Sequence, residues 1–142
     1  MDKNMIATLT EESAIAHPSH DHCFACGTLH PAGLGLRFTA DADGAVSAFW
    51  QPSATYQSYP DRLHGGVLST LLDGAMVHAL FARGVTGVTA ELHVRYLRAA
   101  GLSERLWITG RVVSQRHSLY FCEAEVFQES LPVARATAKF MG

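Results

Sequence analysis

The chain is short of charge. Only 17% of its 142 residues are Asp, Glu, Lys or Arg, and 11 basic against 13 acidic side chains leave a net charge of −2 with His neutral. That balance lacks the basic face of a nucleic-acid binder, though it leaves room for a local basic pocket holding one anionic ligand. Cysteine is scarce too: three residues, an odd number, with Cys122 alone in a strand-like stretch. This excludes a disulfide-stapled scaffold and points to a reducing, cytoplasmic setting. No apolar run approaches the ~18 residues of a membrane span, since the richest stretch, 65–82, is broken by Ser69, Thr70, Asp73 and His78. Met1 to Thr10 lacks the apolar core of a signal peptide. With no linkers, repeats or low-complexity tracts, residues 1–142 read as one domain, in which 1–33 form an N-terminal helix and a Cys/His loop.

What the chain has is hydrophobic residues, 48% of the total, enough for a core without staples. Thr10-Glu11-Glu12 reads as a helix start, a capping hydroxyl followed by acids, and His17-Pro18 as its end. Leu34 to Thr39 and Ala45 to Gln51 read as strands joined by the Asp43-Gly44 turn. His64 to Ala82 is the strongest helix. At ~100° per residue, Leu68, Leu71, Leu72, Ala75, Met76 and Ala79 fall on one side, and Gly66, Ser69, Thr70, Asp73 and Val77 on the other. After Gly87 the period becomes two: Val88, Ala90, Leu92, Val94 and Tyr96 alternate with Thr89, Glu91, His93, Arg95 and Leu97. Strands over Leu106–Ser114, Ser118–Phe127 and Val133–Met141 follow, and the four together predict an antiparallel meander. The expected fold is α+β, a long central helix wrapped by a five- to six-stranded antiparallel sheet.

Chemistry concentrates in Leu63-His64-Gly65-Gly66-Val67-Leu68-Ser69-Thr70-Leu71-Leu72-Asp73. Glycine disfavours a helix interior by about 0.8–1.0 kcal/mol relative to Ala, so two at a helix start suggest a purpose. They allow close approach of a ligand to the backbone, and the first amides of a helix have no internal partner and bind oxyanions. Asp73 lies seven positions past Gly66, nearly two turns, so its carboxylate shares the Gly66 face. An acid in an apolar helix needs a partner or a task. A carboxylate base or nucleophile beside an amide anion hole suits acyl-transfer hydrolysis; a carboxylate bonded to a neighbouring strand or subunit fits the same residues. For Gly65-Gly66 the other reading is a tight, closely packed loop-to-helix turn, and for His64 a loop residue bonded to backbone.

This pattern, His-Gly-Gly with an Asp nine positions after the His and a Tyr-rich loop before it, resembles the hotdog-fold acyl-CoA thioesterases of the phenylacetate-degradation type. Tyr56-Gln57-Ser58-Tyr59-Pro60, Leu63 to Asp73, Leu92 to Arg98 and Ala136 to Phe140 carry the resemblance, which covers about residues 34 to 142; a sub-branch also shares the Cys23-Phe24-Ala25-Cys26-Gly27 loop. The resemblance implies a hotdog fold and hydrolysis of an acyl-CoA thioester to a carboxylic acid and CoA. Asp73 then matches the general base or nucleophile, Gly65-Gly66 the oxyanion amides, His64 a loop-shaping residue near the thioester, and Thr89 a water-orienting hydroxyl. Tyr56, Tyr59, Leu63 and Thr70 are further substrate-binding candidates, and Arg95, Arg98 and Arg116 candidates for the CoA phosphates, each reading equally as a solvated strand charge. The site would lie between subunits of a homodimer, which can pair into a tetramer, with no cofactor besides the CoA of the substrate, and no nucleic-acid or membrane partner. Two departures from the pattern are Ala99 to Glu104, where Pro and Gly-Asp are common, and Asp61, where a small residue is commoner. A non-catalytic acyl-CoA- or lipid-binding dimer is the alternative; a hydratase on the same fold needs its His and acid spaced differently.

The loop His17-Pro18-Ser19-His20-Asp21-His22-Cys23-Phe24-Ala25-Cys26 stands apart. His17, His20, His22, Cys23 and Cys26 include enough ligand types for tetrahedral zinc. No second spaced Cys/His pair follows downstream, however, so the same residues read as a packed loop with two reduced thiols near the partner subunit; no metal is assigned, and whether these residues bind one stays open in the sequence.

Overall fold

A computed structural model describes residues 14–142. The helix expected from Thr10 begins outside these residues. Its expected end, 14–17, is not helical: the Ile15 amide donates to Phe38 O at 2.8 Å, so this stretch lies beside the main body. A 3₁₀ turn, Pro18–His20, follows.

Leu34 to Thr39 departs from expectation in the same way. Only Thr39–Ala40 (β1) is strand. Gly35 takes a positive φ of 67°, which breaks extended backbone. The Leu34 and Leu36 amides pair with Phe24 O and Ala25 O of the Cys/His loop instead of a sheet neighbour. The alternation survives as packing, with Leu34, Leu36 and Phe38 all buried.

The remaining elements are β2 (Val46–Trp50), one long helix α1 (Gly65–Phe81), β3 (Val88–Tyr96), β4 (Leu106–Arg116), β5 (Leu119–Gln128) and β6 (Leu131–Met141). They form one six-stranded antiparallel sheet in the order β1-β2-β4-β5-β6-β3 wrapped on α1, the hotdog arrangement. The four-strand meander is corrected here: β4, β5 and β6 form one, but β3 pairs with β6, not β4. The reason lies in what each strand buries. β4 turns Leu106, Ile108 and Val112 into the core, whereas eight of the nine β3 residues are exposed. A strand with so little to bury belongs at an edge, and β3 is one.

The helix lies almost in contact with the sheet. At Gly110 a Cβ would sit 2.8 Å from the backbone of Ala75. Gly110 lines up across the ladder with Ala124 and Ala136, a row of small residues on which α1 rests. Leu71, Leu72, Met76 and Leu80 are fully buried around it, each contributing about 1.5–3 kcal/mol. The far side of the helix is covered as well. Gly74 and His78 are buried, Leu36 and Ala25 pack beside Gly74, and His17 stacks on Phe81 at 4.9 Å between ring centroids. A helix apolar nearly all round needs cover on both sides, and the N-terminal loop supplies the second. No helix among the described residues is long and apolar enough to cross a membrane.

Candidate active site

The start of α1 is fixed from three directions. Leu63 is buried, its amide donates to Ala100 O at 3.0 Å, and the His64 amide donates to Tyr56 O at 2.8 Å. His64 is the N-cap. Its ring Nδ1 accepts from the Gly66 amide at 2.8 Å, and its carbonyl accepts from Val67 and Leu68 at 3.0 and 3.2 Å. An accepting Nδ1 places the proton of the neutral ring on Nε2. The two glycines therefore separate in role. A Cβ on Gly66 would lie 3.0 Å from the His64 ring, so Gly66 makes room for the capping imidazole and spends its amide there. The Gly65 amide has no partner among the described residues, and it is the free donor at this helix start. The reading of both glycine amides as one anion hole narrows to Gly65.

Two turns along, Asp73 is half-buried. The Thr89 hydroxyl donates to its Oδ1 at 2.7 Å. Burial raises the Asp73 pKa above the ordinary carboxylate value, and the Thr89 bond pulls the other way. Loss of water costs the charged form, whereas the hydroxyl stabilises it. No cation pairs with this carboxylate among the described residues.

Thr89 reaches Asp73 because β3 is irregular. Its register against β6 slips between Thr89 and Glu91, a β-bulge with Ala90 as the additional residue. Beyond the bulge, Leu92, Val94 and Tyr96 oppose Ala138, Ala136 and Ala134, and before it Thr89 opposes Phe140. Those four β6 residues are buried toward α1, and opposed residues share a face. Strict alternation puts Thr89 and Tyr96 on opposite faces; the bulge puts both toward the helix. Tyr96 uses this position to donate to Gly65 O at 3.1 Å and to hydrogen-bond the Ser69 hydroxyl. The sequence pattern assigns no site role to Tyr96 or Ser69. The signals were there: Ser69 shares the helix face of Gly66 and Asp73, and Tyr96 is the last residue of β3's apolar set.

The other candidates are dispersed. Thr70 Oγ1 donates back to Gly66 O at 3.0 Å, so its hydroxyl serves the helix. The Tyr56 hydroxyl donates to Gly33 O and its ring packs on Trp50, which makes it a brace for the N-terminal loop. Leu63 is core, while Tyr59 is 78% exposed. Arg95 opposes Arg135 on the sheet face turned away from α1, so within one chain it cannot reach Asp73. Arg98 Nε is held by Pro132 O at 3.1 Å, just past Tyr96. Arg116 is exposed at the far end of the β4–β5 hairpin. Asp61, the departure noted before the helix, has φ of +60°, a left-handed position that Asp tolerates.

Comparison with known proteins bears on this arrangement. The family model for the thioesterase superfamily matches residues 61–134, from the turn before His64 into β6. The human acyl-coenzyme A thioesterase 13 is 35% identical over 66 residues, 45% of this chain and 47% of that protein. The chain thus spans about half the length of the curated relatives it matches. Among solved structures, a thioesterase superfamily protein superposes with a TM-score of 0.82 at 25% identity, over 98% of this chain and 74% of that one. A hypothetical thioesterase from Streptococcus pneumoniae TIGR4, crystallised with coenzyme A, superposes with a TM-score of 0.70 at 25% identity, over 75% of this chain and 86% of its own. With its helix motif, its sheet order and more than half its length inside the family model, the chain belongs to the thioesterase superfamily.

Proposed function

We propose that the protein hydrolyses acyl-CoA thioesters to a carboxylic acid and CoA. The observation that carries this reading is the half-buried Asp73 carboxylate, held by the Thr89 hydroxyl two turns along a helix whose start leaves the Gly65 amide without a partner among the described residues. Family membership and the acyl-coenzyme A thioesterase activity of the similar human protein support it, and the coenzyme A bound by a structural neighbour supports the carrier.

In this reading Asp73 takes a proton from water as the water oxygen attacks the thioester carbonyl. Thr89 donates to Asp73, so its oxygen lone pairs are left to hold that water. Charge developing on the carbonyl oxygen falls to the Gly65 amide, a type of donor worth about 2.7–4 kcal/mol in the transition state. Collapse breaks the carbon–sulfur bond, and the thiolate takes up the proton. A second route from the same geometry has Asp73 attack the carbonyl directly, with water opening the resulting anhydride. His64 shapes the turn and offers Nε2–H toward the thioester, and Arg98 is assigned to the CoA phosphates. The minimal active unit is a homodimer paired along β3, with each site at the seam.

The test is thiol release across aromatic and aliphatic CoA thioesters of graded length. Asp73→Ala and Asp73→Asn are expected to lose at least about 100-fold in kcat, the scale of general-base catalysis. Turnover near wild type in both variants removes Asp73 from the chemistry; tight acyl-CoA binding without thiol release by the wild type would turn the assignment to a binding protein.

A further inference from the structure

We propose that His20, Cys23 and Cys26 form a zinc site that clamps the N-terminal loop onto the back of α1, a site separate from Asp73 and independent of the thioesterase reading. These residues each offer one ligand atom, and the three atoms lie within 4.8 Å of one another. Zinc bound to sulfur at about 2.3 Å and to imidazole nitrogen at about 2.0–2.1 Å, at tetrahedral angles, sets the sulfur and nitrogen about 3.6 Å apart. Cys26 Sγ and His20 Nδ1 are 3.5 Å apart. Binding forms two Sγ–metal bonds and one Nδ1–metal bond while each thiol gives its proton to solvent. Two thiolates neutralise the divalent charge, which makes the Arg37 guanidinium nearby tolerable.

The backbone is built to hold these atoms together. His20 ends the 3₁₀ turn, the Cys23 amide donates to His20 O at 2.9 Å, and the Gly27 amide donates to Cys23 O at 2.8 Å. The turn is so tight that a Cβ at Gly27 would lie 2.4 Å from Cys23 N. Across the loop the Leu29 amide donates to Asp21 O at 2.9 Å, and Arg37 holds Cys26 O at 2.9 Å. The cluster also borders a cavity of about 370 Å³ lined by His17, His20, Asp21, Cys26, Arg37 and His78, which gives the fourth coordination position to solvent or to His17.

A redox pair is the competing use of Cys-x-x-Cys. It is built on a strand–helix context that carries the attacking thiol at a helix N-terminus, whereas Cys23 and Cys26 lie in a loop of short turns. A clamp has an obvious task here. The residues around it cover Gly74, His78 and Phe81, spaced along one stripe of α1, while the loop contributes only short turns of its own.

The experiment uses the full untagged chain, purified without chelator. Expected are about one zinc per chain by elemental analysis and, on exchange with cobalt alone, a thiolate-to-cobalt charge-transfer band with tetrahedral d–d bands. Cys23→Ser, Cys26→Ser and His20→Ala should each lower cobalt affinity at least tenfold, and His22→Ala, an exposed neighbour, should leave it unchanged. If a cysteine variant fails to fold, the wild-type spectrum and the His20→Ala titration still decide. Two freely titrating thiols with no stoichiometric metal, a Cys23–Cys26 disulfide, or His22→Ala losing metal as readily as His20→Ala would each overturn the proposal.

Discussion

The ionised form of Asp73 that the proposed chemistry needs is the form that burial disfavours. Burial raises its folded-state pKa above the unfolded value, so the unfolded chain binds fewer protons between the two pKa values. Stability contributed by this group is therefore present below the unfolded pKa and lost as pH rises through the folded one. Above the folded-state pKa the ionised carboxylate works against the fold. Asp73→Asn keeps an oxygen for Thr89 and removes the ionisation, so it should abolish turnover while holding or raising the neutral-pH Tm, the gain vanishing toward acid pH. Thermal melts of both proteins from acid to neutral pH check this; a Tm that falls at every pH means that Asp73 is a structural anchor. Thr89→Val removes the bond that lowers the Asp73 pKa. The acid limb of the kcat/KM profile should then move to higher pH, measured as a pH–rate series with a short-chain substrate. The two catalytic routes separate by a single turnover in ¹⁸O-water. Label in Asp73, readable by peptide mass, identifies direct attack followed by opening of the anhydride at the Asp73 carbon; a water-first mechanism puts the label in the acid product and leaves Asp73 unlabelled.

At the scale of elements, much was legible. The helix is long, apolar and flanked by Gly, so periodicity alone placed it within a residue or two of Gly65–Phe81, and put Asp73 on the face that Thr89 reaches. What periodicity could not supply was the partner of each strand or a change of phase. β3 looks like any alternating strand, and its edge position follows only from how little it buries once the other strands have covered α1. The bulge at Ala90 is silent because both phases of β3 keep a plausible alternation. It is nonetheless the feature that lets Thr89 and Tyr96 face the helix together. Deleting Ala90 leaves Thr89 and Tyr96 an even number of positions apart, so a regular strand keeps both toward the helix; turnover and native circular dichroism should be retained, and a loss of turnover in a folded variant would mean that the site needs the bulge itself and not only the shared face. Gly110 was equally silent. Its lack of a side chain has meaning only beside Ala75, and Gly110→Ala should cost about 1–3 kcal/mol through overpacking, checked by urea denaturation.

The whole molecule is unfinished along one side. β3 ends the sheet with a nine-residue edge, and Val88, Leu92, Tyr96 and Leu97 leave 75%, 37%, 52% and 40% of their surface exposed there. A long edge with apolar side chains invites another strand. The short opposite edge, β1, has only two residues to offer. Pairing β3 with its copy continues the sheet across two subunits and brings a second set of β3 residues toward the Asp73 side of the first chain. In that reading a second chain covers the Asp73 carboxylate that one chain leaves half open to solvent. Leu92→Glu puts a charge on that edge at a residue outside the proposed site. The expected outcome, by light scattering after gel filtration, is a shift from dimer to monomer. Circular dichroism should be retained, and turnover should fall in proportion to the dimer lost and recover as protein concentration is raised. A folded monomer with undiminished turnover per chain would place the complete site within one subunit and leave the β3 edge without a catalytic role.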